Sequence, residues 1–272
     1  MANKTLSKIF IVIRSILLGL VVAYTAILPQ DYLTRLNYKL YPLIPWSFFV
    51  VAIYIFIWLK IVSGRWIKGG SQFRSYNFRN VVPEKKQFNW GLITGGFFAL
   101  SIYCLLFLLL KSFTTSMTLL PTKGVPFYLV LFTILTITAV AGISEEVGFR
   151  GYMQKPIEDN LGKTAAILIT SVLFTVAHIK HAEFNLFVPV YFSYSCMLGL
   201  VAVYTRSLLP SIILHFLFDF MVFSTFRIFG KDVITLQVSE TGITPVYLLL
   251  ILGFFIGIFG GYKSYLKLKS IS

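Results

Sequence analysis

Eight apolar stretches, each about as long as a membrane is thick, constrain this chain more than any other feature of its sequence. A helix needs about 18 or more apolar residues to cross roughly 30 Å of hydrocarbon. The stretches lie at about 9–28, 43–63, 91–112, 126–149, 164–181, 185–205, 208–228 and 243–262. They lack the alternation of a barrel strand, so we expect them to be helices.

The composition agrees with a membrane location. The 272 residues are 57% hydrophobic and 12% charged, which leaves too little polar surface to cover a soluble protein. We therefore predict an all-α membrane protein, a bundle of about eight transmembrane helices with a polar intramembrane cavity. Residues 1–90 would form two peripheral helices and a basic loop, 91–229 a helical core, and 230–272 the last helix and a basic tail.

The net charge of +14 is distributed as in a membrane protein rather than a nucleic-acid-binding one. With both termini cytoplasmic, 17 of the 24 Lys and Arg residues fall on the inner side, which is the positive-inside bias. We expect a bacterial cell membrane, no nucleic-acid partner, and contact between anionic lipid and the basic run at 60–86, which includes Arg79. An acidic partner for this run is the alternative, and the oligomeric state is left open.

Several ionisable residues lie inside the predicted spans, where each costs roughly 2.5 to 3.5 kcal/mol to insert. They are Glu145, Glu146, His178, His215 and Asp219. A single buried histidine or aspartate often only joins helices by hydrogen bonds, but this set on three helices favours a chemical role. We expect the third histidine, His181, to be solvated or interfacial.

Helical spacing predicts which of these side chains meet. Three pairs are four residues apart and share a helix face: Glu146 and Arg150, Phe174 and His178, and His215 and Asp219. The Glu146–Arg150 pair and Phe174 would have orienting roles. Glu145 points about 100° away from Glu146, has no partner on its own helix, and is the better candidate for chemistry.

A carboxylate, two imidazoles and a further acid suit the activation of water for attack on a carbonyl group. Glu145 would be the general base, with His178 sharing the water or moving its proton. His215 and Asp219 would face the developing oxyanion. Alternatively, Glu145, His178 and His215 could hold a zinc ion. We favour the reaction without a metal or other cofactor.

Three short motifs resemble those of one family. EEVGFR at 145–150 resembles EExxxR, FTVAH at 174–178 resembles FxxxH, and HFLFD at 215–219 resembles HxxxN or HxxxD. In this order they resemble the CPBP intramembrane proteases, the CAAX protease and bacteriocin-processing (Abi) family, over about 91–229.

The resemblance implies an intramembrane endopeptidase that cleaves a membrane-associated peptide or protein with glutamate-activated water. The prenyl-protein branch acts on a lipidated C-terminal tail, and it usually has asparagine where this chain has Asp219. An ionised aspartate would repel an oxyanion, so Asp219 should be protonated, paired with His215, or used for another purpose. The alternatives are a non-enzymatic bacteriocin-immunity or regulatory protein of the same fold and a small proton-coupled transporter.

The predicted depths of the two central residues conflict. His178 lies about 21 Å along its helix from Thr164, whereas Glu145 should lie near the inner end of the preceding one. A tilt, or an interfacial segment at 151–162, would be needed to bring them together. A separation above about 10 Å would exclude the proposed chemistry.

Overall fold

The structure is a computed structural model that describes residues 2–79, 81–112, 125–178, 184–229 and 245–272. Its helices are α1 (Ala2–Leu40), α2 (Trp46–Val62), α3 (Ser71–Asn77), α4 (Lys85–Ser112), α5 (Phe127–Glu145), a π-helix (Glu146–Met153), α6 (Gln154–Leu161), α7 (Lys163–His178), α8 (Phe184–Thr205), α9 (Leu209–Phe229) and α10 (Pro245–Ser270). His181 lies outside the described residues.

The described chain is an all-α membrane protein. Five of its helices are long and apolar enough to cross a membrane: Leu6–Leu40, Lys85–Leu110, Phe127–Leu161, Phe187–Thr205 and Pro245–Ser270. The other three predicted spans coincide with shorter apolar helices, Trp46–Val62, Lys163–His178 and Leu209–Thr225. The number of spans as eight stays a prediction.

Helix α1 is longer than the predicted span, which ended near residue 28. It continues through Pro29 to Leu40. Proline has no N–H to donate to the carbonyl four residues earlier, and here the Tyr54 hydroxyl of α2 donates to that carbonyl, Thr25 O, at 2.5 Å. Beyond the proline, Asp31 and Arg35 form an i,i+4 ion pair at 2.8 Å. The second helix thus supports the first where its own ladder is interrupted.

Helix α1 packs directly against the π-helix. The two backbones approach at Gly19 and Gly148, where a Cβ added to Gly148 would lie 2.6 Å from the Gly19 carbonyl oxygen and 2.8 Å from Ala23 Cβ. Only glycine leaves room for this approach. The N-terminal helix therefore forms one wall around the segment that carries the EEVGFR motif.

Arg79 does not face lipid headgroups as we had expected. Its side chain is 3% exposed and pairs with Glu158 of α6 at 2.6 Å. It also donates to the Arg150 carbonyl oxygen at 2.9 Å. Burial lowers the pKa of the Arg79 guanidinium, and the charge of Glu158 opposes that shift. Arg79 thus connects the loop after α3 to the π-helix and α6.

A helical hairpin resolves the conflict in depth. The span predicted at 126–149 does not end near residue 149. The helical segment that begins with α5 continues through the π-helix and α6 to Leu161. Gly162, at φ +88°, then reverses the chain into α7. Because Glu145 precedes Gly162 by about as many residues as His178 follows it, the two residues lie level on the two arms.

Candidate active site

The three polar stretches converge where α5 becomes the π-helix. Glu145 is the last residue of α5, and Glu146 and Arg150 lie in the π-helix. His178 ends α7, and His215 and Asp219 lie on α9. A π-helix is rare and often marks a functional site. No feature of the sequence indicated one here.

Glu145 lies close to both histidines. Its Oε2 atom is 3.6 Å from His178 Nε2 and 3.9 Å from His215 Nε2, well inside the 10 Å that we had set as the limit. This oxygen is buried and accepts no hydrogen bond from the described residues. The side chain as a whole keeps 11% of its surface exposed. A polar group between the three side chains could therefore form hydrogen bonds with two imidazoles and a carboxylate.

Glu146 has a second partner besides Arg150. The predicted ion pair is present, with Arg150 Nη1 3.1 Å from Glu146 Oε1. The same oxygen is 2.8 Å from His215 Nδ1. Both glutamates therefore face His215, although on a regular α-helix they would diverge by about 100°. Glu146 orients the imidazole as well as pairing with the arginine.

Asp219 is paired with His215, one of the three arrangements that we had expected. Its Oδ2 atom is 3.3 Å from His215 Nε2. Its other oxygen, Oδ1, accepts a long hydrogen bond of 3.5 Å from the Tyr194 hydroxyl of α8. His215 thus has a carboxylate at each ring nitrogen, Glu146 at Nδ1 and Asp219 at Nε2. These contacts fix the plane of its ring.

His178 is held by contacts with aromatic rings and a backbone carbonyl. Its ring stacks on Phe174 with 4.3 Å between centroids, and its Nδ1 is 2.8 Å from the Phe174 carbonyl oxygen. It also stacks on Tyr191 of α8 with 5.1 Å between centroids. Phe174 is buried and lies 4.8 Å from the Arg150 guanidinium as well. Its ring also lies 6.2 Å from that of His215, edge to face, so Phe174 contacts residues of all three motifs.

The sequence analysis did not identify four of the residues at this site. Arg150 Nη2 donates to the Ser195 hydroxyl at 2.9 Å, so α8 contacts the EEVGFR motif as well as the histidines. The signal for α8 was weak, since YFSYS at 191–195 places hydroxyl groups at helical spacing within an apolar run. Arg79 gave no signal, because a buried arginine in a basic loop looks like its exposed neighbours. The missed residues are Arg79, Tyr191, Tyr194 and Ser195.

We tested whether the three residues expected for zinc fit that ion. The Nδ1 atoms of His178 and His215 both lie at hydrogen-bond distance from oxygens, the support that metal-binding histidines have. Zinc requires its ligand atoms within about 2.0 to 2.3 Å of one point. No three His, Cys, Asp or Glu side chains in the described ranges are grouped in this way. Zinc binding by Glu145, His178 and His215 stays a prediction.

Comparison with known proteins identifies one family that is similar to part of this chain. Residues 126–221 match the family model described as Rce1-like, the type II CAAX prenyl endopeptidases. This segment, about a third of the chain, is therefore similar to the CAAX prenyl endopeptidases. It is narrower than the 91–229 over which the motifs suggested a resemblance, but it contains every site residue predicted from the sequence. No curated protein and no solved structure matches the chain.

The Rce1-like segment runs from α5 into α9, so it includes the residues that the four helices contribute to the cluster. The matched family is described as one of endopeptidases, and the long apolar helices indicate an integral membrane protein.

Proposed function

We propose that the protein is an intramembrane endopeptidase that cleaves a membrane-associated peptide or protein with water activated by Glu145 and His178. One observation carries the proposal, the 3.6 Å between Glu145 Oε2 and His178 Nε2 across two helices. The orienting partners described above hold both groups in place. The family match makes peptide hydrolysis the reaction to test first.

The hydrogen bonds of His178 favour water as the group between it and Glu145. A backbone carbonyl only accepts hydrogen bonds, so the contact with Phe174 O places a proton on His178 Nδ1. In the neutral ring Nε2 is then an acceptor and faces a carboxylate oxygen, also an acceptor. Water, with two O–H donors, can satisfy both. Glu145 would take one proton as the hydroxide attacks the substrate carbonyl.

His215 would act on the oxyanion formed by that attack. Its Nε2 lies 3.9 Å from the oxygen of Glu145, close enough to face the same carbonyl group. Glu146 and Arg150 would keep the imidazole in orientation. The negative charge of Asp219 would be balanced by the proton shared with His215, so the carboxylate need not oppose the oxyanion. The protein's own side chains thus supply a base, a proton carrier and a donor.

The substrate class follows from the depth of the site and from the family. A water-activating cluster at the junction of apolar helices suits a peptide bond presented at or within the membrane. The family description adds a prenylated C-terminal tail as the first candidate. A bacteriocin leader and another membrane protein are further candidates from the same peptide class.

The direct test uses the purified protein in liposomes with a prenylated CAAX peptide. We expect the wild type to cleave it and Glu145→Gln to reduce kcat by about 100- to 10,000-fold, the usual contribution of a general base. Glu84→Gln, which alters an exposed carboxylate outside the site, is the matched control and should cleave like the wild type. The comparison requires that both variants have the same thermal stability as the wild type.

Three results would change the assignment. Equal cleavage by Glu145→Gln and Glu84→Gln would remove Glu145 from the reaction. Loss of activity with a chelator, restored by zinc alone, would replace the metal-free reaction with the zinc alternative. A cellular effect that persists in Glu145→Ala would instead favour the non-enzymatic immunity or regulatory role.

A further inference from the structure

Helix α8 contributes to the site although no motif singled out in the sequence lies on it. Tyr191 stacks on His178. One turn later, the ring of Tyr194 meets His215 edge to face, with 5.3 Å between centroids. Each of the two histidines thus has a tyrosine neighbour from the same helix. Of the two, Tyr191 makes the contact that can be tested most cleanly.

We propose that Tyr191 is a positioning residue for His178, an inference that rests on the proposed function. His178 is the last residue of α7, and its side chain is 21% exposed. Its two contacts with Phe174 are local, because both residues belong to α7. They orient the imidazole within its own helix but do not fix it relative to the helices around it. Besides Glu145 of α5, Tyr191 of α8 supplies a contact from another helix.

The geometry assigns this role to the ring of Tyr191 rather than to its hydroxyl group. The two rings lie nearly parallel, at 28°, with 5.1 Å between centroids, within the range of offset stacking. A phenylalanine at this position presents the same face to the imidazole. A leucine lacks the flat ring, so one of the contacts that oppose rotation of the His178 imidazole would be lost.

The reaction is sensitive to such rotation, because Nε2 of His178 must face the same water as Glu145. A displacement of about 1 Å can cost about 100-fold in rate. We expect Tyr191→Leu to lower kcat by about 10- to 100-fold with little change in KM, since Tyr191 acts through His178 and not on the substrate. Tyr191→Phe should restore kcat to within a few-fold of the wild type.

A second readout does not depend on activity. The chain has three histidines, so histidine-selective isotope labelling of the protein in lipid gives a spectrum that His178→Gln and His181→Gln assign. Loss of the stacked ring should shift the His178 ring signals in Tyr191→Leu, whereas Tyr191→Phe should leave them near their wild-type positions. Tyr204→Leu is the matched control, since Tyr204 lies on the same helix but pairs with Tyr265.

The two readouts separate failure of the inference from failure of the proposed function. A wild type without peptidase activity would end the proposed function, while the spectra would still decide the contact. His178 signals unchanged in Tyr191→Leu, or equal kcat in Tyr191→Leu and Tyr191→Phe, would overturn the positioning role. So would an effect confined to KM, which would place Tyr191 in substrate binding. Tyr191→Met is the second non-aromatic variant, for use if Tyr191→Leu accumulates poorly.

Discussion

Asp219 is the residue at which this chain departs from the pattern of the prenyl-protein branch. In the structure it contacts His215 Nε2 through one oxygen and the Tyr194 hydroxyl through the other. An asparagine could accept from Nε2 in the same way and could also offer an N–H to an oxyanion. The carboxylate would therefore serve chiefly to hold His215.

This role predicts different results for two substitutions at 219. Asp219→Asn should retain activity to within about tenfold, whereas Asp219→Ala should lose about 100-fold, because a displacement of His215 by about 1 Å can cost that much in rate. Initial rates in liposomes at matched protein amounts would measure both. Equal and severe loss in the two variants would mean that the charge of Asp219 is itself required.

Helical spacing in the sequence was informative about local contacts at the site. Each of the three predicted i,i+4 pairs is in contact, Glu146 with Arg150, Phe174 with His178, and His215 with Asp219. Spacing reports only on neighbours within one helix. The contacts between helices, such as Glu146 with His215, depend on packing that the order of residues does not specify. The catalytic roles of these residues stay predictions.

The π-helix is the element that we did not predict from the sequence. Its residues have no composition that separates them from an α-helix, because π-helices occur mostly as short wider turns inside α-helices. In this protein α1 packs on one side of it, and Arg79 and Ser195 bond to Arg150 within it. The close approach at Gly148 ties its position to α1.

Gly148 provides a test of this packing. A methyl group there would meet the Gly19 carbonyl oxygen at 2.6 Å, so Gly148→Ala should lower the free energy of unfolding by about 1 to 3 kcal/mol, as overpacking does. It should also reduce activity by displacing the two glutamates. Gly96→Ala is the control, because a Cβ at Gly96 would meet nothing within 4 Å. Thermal unfolding in detergent would compare them, and equal stabilities would contradict the close approach.

Across the whole molecule, the hydropathy of the sequence located the helices but not their ends. Apolar stretches report where a chain can lie in hydrocarbon, and α1 continues beyond that limit to Leu40 through polar residues such as Asp31 and Arg35. The burial of Arg79 could not be foreseen for a similar reason, since its partner Glu158 is distant in sequence. The orientation with both termini cytoplasmic stays a prediction.

The Arg79–Glu158 ion pair joins the N-terminal region to the core. Breaking the pair tests how much this contact stabilises the protein. Removing one member of a buried pair leaves the other charge without a partner and costs about 3 to 5 kcal/mol. Arg79→Ala should therefore lower the Tm strongly, and adding Glu158→Gln should recover part of the loss. Arg35→Ala, which breaks an exposed pair, should have no measurable effect. The same Tm for Arg79→Ala and Arg35→Ala would show that the buried pair is not stabilising.

The most direct test of the account compares the peptide termini in membranes from cells that carry the wild type, Glu145→Ala or Glu84→Ala at matched abundance. We predict new termini in the wild type and in Glu84→Ala that are absent from Glu145→Ala, which would establish the peptidase and identify its substrate. Identical termini in all three membranes, with every form folded, would contradict an endopeptidase that depends on Glu145.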